Sequence, residues 1–570
     1  MTGFVGRARQ PVPAHRPARC SGPASSPAPA SAAVDSGGEH GKVVSAAGAD
    51  VRHVGGGPAR IHCRSGAARL RIRRLRLYAV LLLAAVRNHQ RRGRPASAAA
   101  EVGLAPGAGG NGWWTALLLL TLVAGCGRPK NALARQQKEL AVRALFRQST
   151  GVIELPAGNI EISTPLEVPA DAKQLEVRGS PSGSMIRATP SFTGRALIYI
   201  RSGSGVRISS LTLAGNRDTQ EKRLGIAPSD VAFSRFYEDN GLVAEDVHGL
   251  EISALTFRSI INFPIIVNGG KNVMIQDVKI EDCGSLKPDG HNNTSGGILL
   301  EEGTTNFTVR NCTLRRVGGN GIWTHSQYTS PRNADGLISG NRISDVARDA
   351  IQIGHATRIR VVDNSGSRIG YPVPLVDAAA GGIPVAIDTA GNTDQSAYER
   401  NQFQEVNGKC IDLDGFHHGV VKGNVCSNRQ PLDAYPFGHF GIVFNNANPD
   451  MRSESIEVVD NVIDGAVYGG VFVIGRKHRM AANRFVNLNL ARCTPGSTSS
   501  RCLYWKAEPD LLRAGIYLGR RAERPADALD NVIENNEVSG FGMKAGCIVL
   551  APGLPHKANR ITGNVCRDTP

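Results

Sequence analysis

Residues 408–426 hold the side chains of this 570-residue chain that are best placed to do chemistry. In the segment CIDLDGFH (410–417), apolar and acidic residues alternate, so a β-strand would place Asp412 and Asp414 on one face, with His417 close behind. Aspartate is disfavoured in strands, so two on one face need a reason. We predict an exposed acidic face with a functional role. The simpler alternative is a solvated Asp412 and an Asp414 that only forms a turn.

The same strand formula recurs along the chain and predicts the element that positions these carboxylates. Its copies begin at Ile198, Ile265, Ile298, Ile322, Ile351, Ile387, Ile411, Ile442, Val471, Ile516 and Ile548. A column of asparagines repeats with it: Asn216, Asn311, Asn341, Asn364, Asn401, Asn424, Asn461, Asn483, Asn535 and Asn564. Irregular repeats of a short strand and an Asn turn are typical of a solenoid. Stacked Asn side chains favour an all-β, single-stranded parallel β-helix over a sandwich.

The repeat places outward side chains in two columns. The first column includes Trp323, Gln352, Asp388 and Asp412. The second column includes Glu301, His325, Asp414 and Asn445. Neighbouring coils stack about 4.8 Å apart, so Asp388 and Asp412 should be neighbours on one face. Two like charges at that distance raise at least one pKa unless a cation or a histidine compensates.

Three kinds of chemistry fit this arrangement. Carboxylates about 5 Å apart match the acid and nucleophile of a retaining glycosidase. Asp388, Asp412 and Asp414 could instead hold Ca²⁺ as a cofactor that bridges to a substrate uronate. Elimination or epimerisation needs a cation near the uronate, a base for its C5 proton and a proton donor. The catalytic candidates beside the aspartates are His325, His355, His417 and Tyr328. The candidates for substrate contact are Glu301, Trp323, Gln352, Tyr328 and Asn445.

Charge and composition separate the first part of the chain from the rest. Residues 1–110 are rich in Arg, Ala, Pro, Gly and Ser with little periodicity, which predicts a disordered extension or a wrongly assigned start. Residues 1–125 contain 17 Lys and Arg against 4 Asp and Glu, which is +13 of the total +17. The remainder carries only +4, so the basic balance does not indicate nucleic-acid binding by the folded part.

Residues 111–126 predict export. The segment WWTALLLLTLVAGC (113–126) is an apolar run that ends in small residues and is shorter than the roughly 20 residues of a membrane-spanning helix. Its ending, VAGC, resembles the lipobox of bacterial lipoproteins. That resemblance implies lipidation of Cys126 and a membrane association through the lipid anchor only. The absence of Lys and Arg between Arg94 and Trp113 departs from the usual signal. We expect a cell-envelope lipoprotein or a periplasmic or extracellular protein.

The cysteines beyond Cys126 are even in number, as expected for disulfides in an exported chain. They are Cys283, Cys312, Cys410, Cys426, Cys493, Cys502, Cys547 and Cys566. Cys493 and Cys502 could close a short loop. The 410/426 and 547/566 pairs share the pattern C-I-x-L followed by G-N-V-C, so each lies at matching places in its own coil. The alternative is that these cysteines are small buried core residues.

A capping helix and a family resemblance complete the prediction. Residues 127–150 are expected to be a linker and a helix, since NALARQQKELAVRALFRQ (131–148) is amphipathic, with Leu133, Leu140, Ala144 and Leu145 near its apolar stripe. The motif G-x-I-x-L-P-A-G (151–158) then begins the first coil of a domain expected over 151–570. Helix, motif and Asn turns together resemble the pectate-lyase-like superfamily of right-handed parallel β-helices, whose members act on or bind polysaccharides.

This resemblance leaves the activity open. Residues 392–394 (NTD) and 418–419 (HG) match only fragments of polygalacturonase motifs, and the Asp-Pro-His-Asp signature of alginate epimerases is absent. No Lys or Arg is predicted in the outward columns of the middle coils. We predict a monomeric exported protein whose partner is a polysaccharide, a lyase or C5-epimerase acting on a uronic-acid polymer. The alternatives are a polygalacturonase-like hydrolase and a non-catalytic glycan-binding or surface-structural β-helix.

Overall fold

A computed structural model describes residues 130–228, 230–378, 382–502 and 511–569. The expected extension (1–110), the signal segment (111–126) and its Cys126 lie outside the described residues. Within the described part, the chain forms two α-helices, a 14-stranded parallel sheet and a 27-stranded parallel sheet. The larger sheet consists of two series of strands, named sheets A and C below, which among the described residues pair with each other only between Ala356–Thr357 and Thr393–Asp394, and the smaller one is sheet B. Neither described helix has the length and hydrophobicity that a membrane span requires.

The N-terminal helix, α1 (Lys130–Leu145), packs on the first coil and covers its open end. The predicted apolar stripe is partly wrong. Leu133 and Leu140 are 52% and 59% exposed and Ala144 is also exposed, whereas Leu145 is partly buried against the core as predicted. Val142 and Phe146, which directly follows the helix, are buried and lie four positions apart, so they face the open end of the solenoid together.

Polar contacts fix α1 in place. The Lys138 ammonium donates to the carbonyl oxygens of Ala157 and Asn159 at 3.1 and 2.6 Å. The Glu139 carboxylate accepts the backbone N–H of Ser163 at 2.9 Å. The first coil thus has part of its exposed backbone satisfied by the helix, as solenoid ends require. A second helix, α2 (Phe233–Phe236), lies within the insertion that precedes the coil at residue 240.

Sheet A contains the first strand of each coil. Its strands are β1 (Gly151–Leu155), β4 (Leu175–Gly179), β7 (Ser204–Ser209), β10 (His248–Ser253), β13 (Lys271–Gln276), β16 (Thr305–Arg310), β19 (Asn333–Ser339), β22 (Ala356–Val362), β25 (Ala397–Glu399), β28 (Val420–Lys422), β31 (Glu457–Val459), β34 (Arg479–Ala481), β37 (Val532–Glu534) and β40 (Arg560–Thr562). Each strand pairs in parallel with its equivalents in the coils before and after it.

Sheet B contains the second strand of each coil. Its strands are β2 (Gly158–Ile162), β5 (Ser184–Ala188), β8 (Thr212–Ala214), β11 (Thr256–Arg258), β14 (Lys279–Cys283), β17 (Thr313–Val317), β20 (Arg342–Val346), β23 (Ser365–Ile369), β26 (Gln402–Val406), β29 (Val425–Ser427), β32 (Val462–Asp464), β35 (Arg484–Leu488), β38 (Glu537–Gly540) and β41 (Val565–Asp568).

Sheet C contains the strands that the repeated sequence formula predicts. They are β3 (Leu166–Val168), β6 (Ala196–Arg201), β9 (Asn240–Glu245), β12 (Ile265–Asn268), β15 (Gly296–Glu301), β18 (Asn320–His325), β21 (Ile351–Ile353), β24 (Val385–Asp394), β27 (Lys409–His417), β30 (Ile442–Asn445), β33 (Val471–Val473), β36 (Ile516–Leu518) and β39 (Ile548–Leu550). All eleven predicted copies are strands of this sheet. Short 3₁₀ helices lie at Val373–Leu375, Leu432–Ala434, Ser500–Cys502, Leu511–Arg513 and His556–Ala558.

The three sheets enclose one core that runs along the solenoid. In β27, for example, Ile411 and Leu413 point inward and are fully buried against equivalent residues such as Ile387 and Ile442. The period-two alternation therefore sets which side chains enter the core and which leave it. The predicted all-β parallel β-helix is confirmed, and its strand register follows the sequence repeat.

A ladder of buried asparagines runs along one corner, as predicted. Its members are Asn341, Asn364, Asn401, Asn424, Asn461, Asn483, Asn536 and Asn564. Each side-chain amide donates to the next side-chain oxygen at 2.8–3.0 Å. Three predicted members are wrong: Asn216 donates to the Thr189 carbonyl oxygen instead, Asn535 is replaced by its neighbour Asn536, and Cys312 occupies the place expected for Asn311. Asn311 and Asn535 instead form turns with positive φ.

Three disulfides join the cysteine pairs that the sequence patterns suggested. They are Cys410–Cys426, Cys493–Cys502 and Cys547–Cys566. Cys283 and Cys312 are reduced and buried, which is the core role foreseen as the alternative. Disulfides form and persist in oxidising compartments, so the protein is an exported one.

Candidate functional site

The outward side chains of sheet C stack in the register that the sequence predicted. Trp323, Gln352, Asp388, Asp412 and Val443 are successive Cα partners across β18, β21, β24, β27 and β30. The parallel pairing of neighbouring coils brings the two carboxylates together, as expected. The first outward column is therefore confirmed as a structural feature.

The prediction that this acidic face is exposed is wrong. Asp388, Asp412 and Asp414 are only 3%, 0% and 3% exposed. The outward face of these middle coils is therefore not a solvent-facing surface. Over the earlier coils, the segment carrying α2 buries Leu299 and Trp323 in a second apolar cluster. Strand alternation cannot reveal such a cover, because it reports only on which side of the sheet a residue lies.

The buried column is held by a chain of polar contacts. Asn320 donates from Nδ2 to Gln352 Oε1 at 2.6 Å, and Gln352 donates from Nε2 to Asp388 Oδ2 at 2.8 Å. The Asp388 Oδ1 atom has no hydrogen-bond partner. Burial raises the pKa of Asp388 well above its usual range, and the charges of Asp349 and Asp412 raise it further. Asp388 therefore favours its neutral, protonated form.

Lys409 compensates the second carboxylate, and the sequence reasoning missed it. Its ammonium is buried and forms an ion pair with Asp412 Oδ2. Burial disfavours the lysine charge, but the adjoining Asp412 carboxylate outweighs it, and the pKa of Lys409 is raised. Lys409 opens β27, three residues before Asp412, and its ammonium brings a cation to the outward column of the middle coils. Period-two alternation would place Lys409 on the same side as Ile411 and Leu413, so the strand pattern gave no signal for this contact.

Glu301 and His325 support the cover of the earlier coils. The Glu301 carboxylate is fully buried and accepts the backbone N–H groups of Phe233 and Ser234 at 2.9 and 2.7 Å. These are the N–H groups at the start of α2, so the carboxylate acts as a cap supplied from β15. The His325 ring stacks on Phe233 with centroids 4.8 Å apart. Both predicted residues thus have structural partners in this insertion.

A second group of polar residues lies at the edge of sheet C, where the chain leaves its strands. Tyr328, on the loop after β18, is 45% exposed, and its ring stands perpendicular to that of His355 with centroids 3.8 Å apart. Its hydroxyl contacts the side-chain amide of Asn448. Tyr328 and Asn448 belong to loops 120 residues apart in sequence. Two loops thus meet over His355, which is 7% exposed, and the exposed part of this edge is the Tyr328 ring.

Charged residues surround this edge. Arg332 approaches Asp394 with Nη1 3.5 Å from Oδ1, and both side chains are partly exposed. Asp394 is the Cα partner of His417, whose Nδ1 lies 3.1 Å from the carbonyl oxygen of Gly415. Asn445, the Cα partner of Asp414, is half-buried. His355 and Tyr328 are therefore in ring contact at this edge, and His417 lies beside Asp394 on the next strand, whereas Asp388 and Asp412 lie in the buried column.

The aromatic and imidazole groups of this edge have opposite pKa shifts. Burial lowers the pKa of His355 to about 4, with the positive charge of Arg332 acting in the same direction and Asp450 opposing it. Burial raises the pKa of Tyr328, and the carboxylates of Asp450 and Asp414 raise it further. At neutral pH His355 is therefore an unprotonated base, while Tyr328 keeps its proton.

The pKa values of the other two candidate histidines, His325 and His417, are also lowered. Burial lowers the pKa of His325 to about 4, and His355 adds to the effect. Burial also lowers the pKa of His417, partly offset by its contact with the Gly415 carbonyl. Both rings thus favour the neutral form at neutral pH. Either could accept a proton, but His355 alone of the three lies in ring contact with an exposed phenol.

Among the described residues, two groups of three acidic or histidine side chains have ligand atoms within 4.8 Å of one another: Asp289, His291 and Asp377, and Glu301, Glu302 and His325. Asp388, Asp412 and Asp414 are not such a group. Asp388 and Asp412 each keep one oxygen without a hydrogen-bond partner, but the ammonium of Lys409 already neutralises Asp412. Calcium binding by the three aspartates stays a prediction.

Three residues of the edge were not foreseen, namely Arg332, Asn448 and Asp450. All three lie on loops whose sequences have no repeat, so their position relative to His355 depends on how the loops fold back. The length of the interruption after β18 was the available signal for Arg332. Asn448 and Asp450 belong to a stretch, NNANPD (445–450), that reads as an ordinary turn sequence.

Comparison with known proteins agrees with the fold. A family model described as a right-handed beta helix region matches residues 196–386. No curated protein matches the sequence. Among solved structures, the Azotobacter vinelandii mannuronan C-5 epimerase AlgE6 A-module is 12% identical, with 76% of this chain and 95% of that chain covered and a TM-score of 0.43. The surface adhesin PfbA of Streptococcus pneumoniae is 12% identical, with 62% and 87% covered and a TM-score of 0.43.

Two further solved structures are similar to this chain at comparably low identity. The catalytic unit of a GH87 α-1,3-glucanase from Streptomyces thermodiastaticus strain HF3-3 is 14% identical, with 75% of this chain covered and a TM-score of 0.42. The chain spans 66% of that glucanase unit and 66% of the Dettilon tailspike protein. At these identities the likeness concerns the fold alone. The parallel strand pairing along the chain and the family model over residues 196–386 show the fold, a right-handed parallel β-helix.

Proposed function

We propose that this exported β-helix protein acts on a uronic-acid-containing polysaccharide, as a lyase or a C5-epimerase. The observation that carries the proposal is the contact between His355 and Tyr328 at the open edge of sheet C. A neutral imidazole beside a protonated phenol supplies a base and a proton donor at one place. The same edge carries Arg332, which can approach the uronate carboxylate.

His355 takes the C5 proton of a uronate, and the electron pair left behind is delocalised into the carboxylate, whose negative charge Arg332 offsets. In elimination, this pair forms the C4–C5 double bond while the C4–O bond breaks, and Tyr328 protonates the departing oxygen. In epimerisation, the Tyr328 hydroxyl instead gives its proton to C5 on the opposite face, and the glycosidic bond stays intact. His417 is the second candidate for the base.

The experiment uses the full-length protein with polymannuronate, polyguluronate and polygalacturonate. Ultraviolet absorbance of unsaturated ends reports elimination, and NMR of the product reports epimerisation. We expect His355→Ala and Tyr328→Phe to lose at least about 100-fold in turnover, as for a positioned acid or base. The matched control is Asp363→Asn, since Asp363 pairs with Arg400 on the exposed surface of sheet A. Turnover unchanged in both active-edge variants would refute the assignment.

A non-catalytic glycan-binding or surface-structural β-helix is the second candidate. One observation favours it: the paired carboxylates of Asp388 and Asp412 are sealed from solvent and held by Gln352 and Lys409. The same burial argues against the polygalacturonase-like hydrolase alternative, because neither carboxylate can reach a sugar. If the protein binds a polyuronate but alters no bond in it, the binding role replaces the enzymatic one.

Lipid anchoring and the monomeric state are further proposals. Lipidation of Cys126 would hold the protein at the cell envelope, with the polysaccharide as partner and the membrane contacted only by the acyl chains. Incorporation of radiolabelled palmitate into the wild type but not into Cys126→Ala would support it. Absence of label in both would refute it. Light scattering of the purified protein tests the monomer.

A further inference from the structure

The loop of residues 446–453 is docked on the turns at the end of sheet C. The backbone N–H of Ala447 donates to Asp414 Oδ1 at 2.8 Å. Met451 lies over Gly415, where an added Cβ would be 2.8 Å from the methionine Cγ. Gly415 also has a φ of 83°, a conformation that favours glycine. Asp414 and Gly415 thus form a seat for this loop.

A second anchor ties the same loop to the neighbouring coil. Asn392 donates from Nδ2 to the carbonyl oxygen and the Oδ2 of Asp450, at 3.1 and 3.2 Å. Asn392 follows Gly391, where an added Cβ would lie 3.0 Å from the Cδ2 of His355. Asn392, which holds Asp450, therefore directly follows Gly391, which lies against His355. From the other side, Asn448 contacts the Tyr328 hydroxyl.

We propose that Asp414 is a positioning residue, whose carboxylate holds the 446–453 loop so that Asp450 and Asn448 face the His355–Tyr328 pair. The catalytic consequence of this inference rests on the proposed function, which makes His355 and Tyr328 the base and the acid. The contact of the 446–453 loop with Asp414 does not depend on it. Asp414 is 3% exposed and already accepts a backbone N–H, so it is poorly placed to meet a sugar. Its role differs from the catalytic one that the sequence suggested.

Asp450 is the residue of this loop that can affect the protonation of His355. The charged or titratable groups that face His355 are Arg332, His325, Tyr328 and Asp450. Asp450 is the negative one of these and is exposed at the edge. When His355 accepts the C5 proton it becomes an imidazolium, which a carboxylate at this place stabilises and an arginine opposes. Release of the loop would remove that stabilisation.

The first test is amide hydrogen exchange in the full-length protein. In Asp414→Ala the Ala447 N–H loses its acceptor, so we expect exchange over 446–453 to become at least about tenfold faster. Asp414→Asn keeps an oxygen that can accept this N–H and should exchange more slowly than Asp414→Ala. The control Asp363→Asn should match the wild type. Wild-type exchange in Asp414→Ala would overturn the positioning role.

Turnover of the polyuronate provides the second test. We expect Asp450→Asn to lower kcat with wild-type exchange in the loop, and Asp414→Asn to retain more turnover than Asp414→Ala. Equal loss in both Asp414 variants, with wild-type exchange, would make Asp414 a reacting group and overturn the proposal. If the wild type turns over no polyuronate, the proposed function fails, and the exchange result still decides whether Asp414 holds the loop.

Discussion

Replacing Asp388 by Asn tests whether the sealed acidic column is neutral inside the protein. The native carboxylate accepts one hydrogen bond, from Gln352 to Oδ2, and its Oδ1 has no partner. An Asn side chain keeps the accepting oxygen and directs its amide toward the neighbouring Asp412, whose Oδ1 also has no partner. The substitution thus imitates the protonated acid without its ability to titrate.

The sign and size of the effect follow from the raised pKa of Asp388. An acid whose pKa is higher in the folded state binds more protons when folded, so its contribution to stability is full below about pH 4, the ordinary aspartate pKa. The contribution is lost as the pH rises from there to the folded pKa. The free energy of unfolding of the wild type should therefore fall by about 1.4 kcal/mol per pH unit in that window. In Asp388→Asn this slope should disappear.

Urea unfolding followed by circular dichroism, at several pH values from about 5 to about 8, measures the difference. Asp349, Asp412, Asp414 and Lys409, which face Asp388, are present in both proteins. We expect the free energy of unfolding of Asp388→Asn to increase relative to that of the wild type as the pH rises. Parallel pH profiles, or a variant that loses stability as the pH rises, would refute a protonated Asp388.

Three further predictions concern the ladder, a disulfide and the edge. Asn424→Ala removes four side-chain hydrogen bonds and should lower the free energy of unfolding by about 2–5 kcal/mol, whereas the exposed Asn159→Ala should leave it unchanged, by urea unfolding. Loss of the Cys410–Cys426 bridge in the double serine variant should cost about 3 kcal/mol, measured the same way, and no change would contradict the bond. Arg332→Ala should weaken polyuronate binding by calorimetry; equal affinity would exclude its contact with the carboxylate.

The fold was predictable from the sequence because each coil repeats the same short pattern of an alternating strand and an Asn turn. Alternation in segments such as CIDLD sets the inward face, and the register of Asp388 on Asp412 follows from aligning these segments. Asn311 and Asn535 were misassigned because an asparagine suits both a ladder position and a left-handed turn. The local sequence does not distinguish the two uses.

The site was less predictable, since it depends on insertions that have no repeat. The prediction of an exposed acidic face was wrong because strand alternation does not report whether an outward residue reaches solvent, and Asp388 and Asp412 are buried. Lys409 was not placed in the outward columns because lysine is seldom buried and its position in the alternation is an inward one. The meeting of Tyr328 with Asn448 joins loops 120 residues apart, and only the folded solenoid brings them together.

Incubation of polyuronates in D₂O with the full-length protein tests the central claim most directly. Removal of the C5 proton is common to elimination and epimerisation, so proton NMR should show the H5 signal of the substrate decreasing with the wild type. It should persist with His355→Ala and Tyr328→Phe, while Asp363→Asn behaves as the wild type. An H5 signal that stays intact with the wild type, on polymers that the protein demonstrably binds, would contradict the claim and leave a glycan-binding β-helix.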